Sequence, residues 1–190
     1  MQPIDFLAFA ADCTITGKMT MFGDRLSDFL NGQERFRVHH IECESLEDGH
    51  RVPVDSISIE RDDLLAVVGT GPRGNEKQRI PLRTARIHLS IGPYLILGRL
   101  HTNAGADAVA SVLKREPMLP LTNVTIAYEV AGAIVARDVP TVIVNRLLVD
   151  WISPTTEAAP LFPDVPVRSP FTQRLQKDMT GSASAPGLSV

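Results

Sequence analysis

The chain is poor in aromatic residues, cysteine, long apolar runs and excess positive charge, and each shortage excludes something. Aromatics make up 5% of its 190 residues, with Trp151 the only tryptophan, so its core must rest on aliphatic side chains. Cys13 and Cys43 are the only cysteines. A chain of this size needs no disulfide staples, and two buried free thiols are expected. No apolar run reaches the roughly 18 to 20 residues that span a bilayer. The opening MQPIDFLAFAADC places Asp5 among its apolar residues and has no basic leader, so a cytoplasmic protein is expected, with no membrane insertion. A formal charge of −3 and a pI near 5.9 argue against a broad nucleic-acid footprint, though not against a local basic patch. What is present is ordinary globular material, 44% hydrophobic and 22% charged, enough for one medium domain or two small ones.

The strongest pattern is an internal repeat. Ile15-Thr16-Gly17-Lys18-Met19 matches Ile96-Leu97-Gly98-Arg99-Leu100. Further on, Asp24 matches Asp107, Leu26 to Leu30 match Val109 to Leu113, and Ile41 and Cys43 match Val124 and Ile126. Finally Ile59, Arg61, Leu64 and Val67 fall on Val144, Arg146, Val149 and Ile152. The order is kept and the offset grows slowly, which chance apolar matching does not produce. The two copies end alike, in SIERDDLLAV and VIVNRLLVDWI, where an apolar strand runs through a polar pair with arginine into a second apolar strand.

Each copy reads as five short strands and one small helix. The first strand, Phe6 to Phe9 or Ile87 to Ile91, precedes a strand around the shared glycine. A short helix follows, with Asp24 or Asp107 placed to cap it and Leu26, Phe29, Leu30 or Val109, Val112, Leu113 on one face. Asn31-Gly32 is expected to stop the first helix and Pro117 the second. In the third strand, alternation places His39, Ile41 and Cys43 inward and His40, Glu42 and Glu44 outward. Turns at Glu47-Asp48-Gly49 and Gly132 lead to the last two strands, expected to form a closing hairpin.

In copy two, IHLSIG, LILGRL, LPLTNV and TVIVNRLLVDWI resemble the layout of an Sm-like barrel, and RLSDFLN in copy one resembles a segment of an uncharacterised bacterial protein family. The likeness covers about residues 6 to 67 and 86 to 152. It implies a mainly β fold with one short helix per repeat: two tandem small Sm-like β-barrels and an extended C-terminal tail. The expected divisions are a first barrel over 1–68, a basic linker over 69–85, a second barrel over 86–152 and a proline-rich tail over 153–190. The helix position and the missing glycine after Arg61 and Arg146 depart from the Sm pattern, so RNA binding does not carry over.

Arg73, Lys77, Arg79, Arg83 and Arg86 make the linker basic, whereas residues 42–63 hold eight carboxylates against Arg51 and Arg61. The tail has six prolines and lacks the material for a core. Within it Phe171, Leu175 and Met179 recur at helical spacing, over a docking segment 171–179 suited to a partner's groove.

No catalytic constellation assembles. Gly69-Thr70-Gly71-Pro72-Arg73-Gly74 matches a dinucleotide fingerprint in spacing only, because Pro81 and the absence of an apolar stripe remove the helix the motif needs. His39, His40, Cys43, Glu42 and Glu44 divide between two strand faces, so these residues and His50 cannot all converge; His40, Glu42 and His50 remain as an outward trio that could hold a divalent ion, with a plain charged strand the first expectation. We expect a non-enzymatic assembly or adaptor subunit with no cofactor and no metal, which oligomerises or docks through barrel edges and tail. Leu147, Leu148, Trp151, Phe171, Leu175 and Met179 are its expected partner contacts. The second reading is an RNA- or nucleotide-binding module that uses the basic linker through Arg73, Lys77, Arg79, Arg83 and Arg86; Arg61 and Arg146, repeated in both copies, are further candidate phosphate or carboxylate contacts, with a structural role the first expectation.

Overall fold

A computed structural model describes residues 2–71, 83–103, 105–155 and 167–168. The protein is mainly β. Copy one supplies β1 (Gln2–Phe9), β2 (Cys13–Met21), helix α1 (Leu26–Gly32), β3 (Arg35–Ser45), β4 (Arg51–Glu60) and β5 (Ala66–Val68). Copy two supplies β6 (Arg83–Ile91), β7 (Tyr94–Thr102), helix α2 (Ala108–Leu113), β8 (Met118–Val130), β9 (Ala133–Asn145) and β10 (Trp151–Pro154). A short β11 (Val167–Arg168) comes from the tail. Arg83 therefore belongs to a strand rather than to the linker. Among the described residues no helix is long and apolar enough to cross a membrane.

The strands form one sheet in the order β10-β6-β7-β8-β9-β5-β1-β2-β3-β4, with β11 lying parallel on β9. Each half has the same internal order, its last strand beside its first and its fourth at the far side. The registers repeat as well. Ala8 faces Ile15 and Val67, and Leu89 faces Ile96 and Ile152. Phe36 faces Ile59 as Leu119 faces Val144. The expected closing hairpins do not form: β4 does not pair with β5 in the ladder, nor β9 with β10. Instead β9 of copy two pairs with β5 of copy one, Val142 to Val144 against Val68 to Ala66.

The shared glycines mark where the strands bend. A side chain on Gly17 would meet Val38 Cγ1 at 2.8 Å and the His39 carbonyl at 2.9 Å, and one on Gly98 would meet Val124 Cγ2 at 3.0 Å. Opposite each glycine the register slips, and the partner strand carries a residue with positive φ, His40 at 50° and Asn123 at 49°. Such a bulge adds one residue to one strand and sharpens the bend. It also corrects the expected alternation of β3: Val38 and Ile41 point in, His39 and His40 are both exposed, and Cys43 is half-buried. Both thiols are free but only half-buried.

Two apolar clusters lie along the sheet, and each borrows from the other copy. Phe9, Leu65, Ala66 and Val68 of copy one enter the core of copy two. Met118 and Ile143 of copy two enter that of copy one. Phe9 packs edge-on against Tyr94 and Tyr128, with ring centres 5.2 and 5.7 Å apart. The Tyr94 hydroxyl donates to the Ala10 carbonyl at 2.8 Å, and burial raises its pKa far above the ordinary phenol value.

The helices differ more than the sequence implies. Asp107 caps α2, its carboxylate accepting the Ala110 N–H at 2.7 Å, whereas Arg25 holds the cap position of α1 and Asp24 caps nothing. Leu26 and Leu30 are buried, but Leu113 is 70% exposed, because α2 ends there; Val112 is the buried residue of α2, and Ala108 packs beside it against the core. α1 does end at the Asn31-Gly32 pair, with no left-handed residue at Gly32, and Asn31 also makes a tertiary contact. Its amide donates to the Met118 carbonyl at 3.1 Å and accepts the Met118 N–H at 2.9 Å, joining α1 to the first residue of β8.

Candidate functional site: the strand edges and the arginine turns

The described ladder has two outer strands, β4 and β10. At the β10 end Leu147 is 59% exposed, Leu148 38% and Trp151 44%, so the three expected partner residues in this region lie on the surface. Trp151 stands edge-on to His88 at 4.8 Å between ring centres. Burial holds the His88 imidazole below its ordinary pKa, and its Nε2 has no hydrogen-bond partner among the described residues. Phe171, Leu175 and Met179 lie outside the described residues, as do Arg73, Lys77 and Arg79.

At the other end β4 is mostly polar along its outer side, with Asp55, Ser56, Ser58 and Glu60 exposed and Val52 45% exposed. Arg51 reaches across to β3, donating to Glu44 at 2.8 Å and to Glu42 at 3.1 Å. That pairing, with Glu44 first, raises the Arg51 pKa above its ordinary value. Glu60 pairs with Arg35. These carboxylates are therefore occupied by arginine, and His39 and His40 sit apart on a bulged strand. Among the described residues no group of three His, Cys, Asp or Glu side chains could hold a metal ion.

Arg61 and Arg146 sit at matching turns, and their backbones act alike. The Arg61 N–H donates to the Glu34 carbonyl and the Arg146 N–H to that of Pro117, each at 2.8 Å, pinning the turn to the segment that follows the helix. Their side chains act differently. Arg61 Nε donates to Asp62 at 2.8 Å in an exposed pair that holds the carboxyl below and the guanidinium above the ordinary values. Arg146 Nε donates to the Arg115 carbonyl, bracing the end of the α2 segment. Asn145, buried beside it, donates its backbone N–H to the Leu65 carbonyl of the other copy at 2.9 Å. Arg83, on β6, is an exposed strand residue facing Thr102.

Sequence reasoning overlooked a cavity of about 490 Å³ lying between the copies. It draws Arg25 from copy one and His101, Arg115 and Thr122 from copy two, residues too far apart in sequence for any motif to join them. His101 Nε2 and Thr122 Oγ1 are 2.9 Å apart, and the Arg115 guanidinium donates to the His101 carbonyl. A second concavity, at Asp12, Cys13, Cys43, Asp48 and His50, holds both thiols. Burial, followed by the Asp12 charge, pushes Cys13 up to about 11 and Cys43 upward too, so neither is poised as a nucleophile. Comparison with protein-family models, curated proteins and solved structures finds no match for this chain.

Proposed function

We propose that the chain is a non-enzymatic assembly subunit built from two Sm-like repeats, and that it associates with further copies of itself through the outer strands β4 and β10. The observation that carries this reading is the β9–β5 junction. There the fourth strand of one repeat meets the fifth strand of the other, the edges through which Sm-like modules resemble one another in association. The outer strands are the remaining fourth and fifth strands of the same two repeats. A contact of this kind is head-to-tail, so it closes a ring or continues as a filament.

Curling of each half supports the Sm-like reading. Five flat strands would separate β4 from β5 by about 19 Å, at roughly 4.8 Å per step. The connection through the tight turn Arg61–Asp63 reaches only about 16 Å when three residues rise ~2 Å each and three steps extend at ~3.3 Å. The sheet of each repeat must therefore roll, and the bulges at His40 and Asn123 provide the bend.

The junction also fixes a register. Val144 faces Ala66, Ile143 faces Val67 and Val142 faces Val68. Carried through the repeat, this sets Ile59 of one copy against Trp151 of the next, Ser58 against Ile152, and Ile57 against Ser153. Native mass of the full chain across a concentration series tests the reading: multimers that Ser58→Pro dissolves are expected, since a proline cannot extend a ladder. A wild-type chain that stays monomeric throughout contradicts it.

A further inference from the structure

We propose that the cavity between the two copies is a binding site for a small phosphate-bearing ligand of nucleotide size. Its volume, about 490 Å³, falls in the range of small-molecule sites, roughly 300 to 1,000 Å³. The charge on its wall has one sign. Arg25 and Arg115 line it together with His101, and no carboxylate does so among the described residues. Elsewhere in the chain Arg35, Arg51 and Arg61 are each matched to a carboxylate.

The two cavity arginines are not matched. Arg25 has no side-chain hydrogen bond or ion pair among the described residues. Arg115 gives one guanidinium nitrogen to the His101 carbonyl and keeps donors to spare, since guanidinium carries five N–H groups. Their backbones are anchored: Arg146 Nε donates to the Arg115 carbonyl, and the Arg25 carbonyl accepts the Phe29 N–H at 3.1 Å. Both arginines are half-buried, and guanidinium groups favour phosphate because their planar forks match its oxygens. Neutral donors stand nearby in Thr122 and Asn123. Leu26, Pro120, Pro140 and Ile143 give the wall an apolar part, beside the hydroxyls of Ser27, Thr70 and Thr141, and can cover an uncharged moiety next to the phosphate. Because Arg25 and Arg115 belong to different copies, one anion between them ties the copies together. The site lies away from the outer strands, so it stands or falls independently of self-association.

The test is calorimetric titration of the full chain at low salt with pyrophosphate, ADP, adenosine, citrate and a short single-stranded RNA. Pyrophosphate and ADP are expected to bind with one site per chain and to raise the melting temperature, while adenosine and citrate bind at least about tenfold more weakly. Arg25→Gln is expected to cost at least about tenfold in ADP affinity, with Arg25→Lys intermediate. Its unliganded melting temperature should be unchanged, because the side chain has nothing to lose in the free protein. Arg115→Gln gives a second reading of the same loss. The proposal is overturned by the absence of phosphate binding, by binding that Arg25→Gln leaves intact, by citrate binding as tightly as pyrophosphate, or by RNA binding that ADP does not compete.

Discussion

The fourth strands of the two copies end in opposite circumstances. At β9, Val142, Ile143 and Val144 are buried against β5, Asn145 is buried, and its backbone bonds to Leu65 of the other copy. At β4 the matching residues lead to an exposed Glu60 paired with Arg35, and charged or hydroxyl side chains face water. The fifth strands differ likewise: Ala66, Val67 and Val68 are fully covered, whereas β10 has four residues, an exposed Trp151 and Pro154. One strand pattern thus serves as core where it is covered and as a guarded edge where it is open. Charges and proline on an open edge restrain indiscriminate pairing. An intermolecular junction at β4 and β10 should therefore be weaker than the internal one and dependent on concentration.

The largest effect should come from breaking the internal junction. Phe9→Ala removes a buried ring that touches Tyr94 and Tyr128 in the other copy and should cost about 3 to 5 kcal/mol in chemical denaturation. If the copies were independent, only one of two transitions would move; a single cooperative transition should shift. Asn31→Ala removes both bonds to Met118, leaves that backbone unpaired, and should cost about 2 kcal/mol in the same measurement. The helices sharpen the contrast between copies. Asp107→Ala loses a cap and should cost about 1 kcal/mol, whereas Asp24→Ala should fall within about 0.5 kcal/mol of wild type by thermal melting.

The smallest effect concerns β10. His88 is held below its ordinary pKa by burial beside Trp151, so the unfolded chain takes up a proton first as pH falls. Stability from this group is complete above the ordinary imidazole value, about 6.5, and is lost as pH drops through that value toward the lower folded one. A pH series of melting temperatures should show that acid loss, and His88→Gln should flatten it.

The repeat, the number of strands and the shared glycines were legible in the sequence, because an aliphatic pattern with fixed order survives in one dimension. The bulges at His40 and Asn123 were not, since one inserted residue leaves composition unchanged while reversing which side chains face inward. Nor was the second role of Asn31, which sits where α1 ends as its Asn-Gly context implies and whose amide also meets a strand 87 residues away. The hairpin expectation failed for a related reason: adjacent strands in sequence are paired by default, and the β9–β5 ladder is a contact between copies. The exposed Leu147, Leu148 and Trp151 were readable because Leu147 and Leu148 stand where the first copy has Asp62 and Asp63. The cavity was invisible because Arg25 and Arg115 come from different copies.

The most direct measurement on the assembly claim is interchain cross-linking in the register that the internal junction sets. A chain carrying Ile57→Cys and Ser153→Cys, mildly oxidised and compared with each single variant, should form covalent dimers and longer head-to-tail products. Displacing the second cysteine to Asp150 should abolish them. A double variant that stays monomeric, at concentrations where its native mass is also monomeric, contradicts the account.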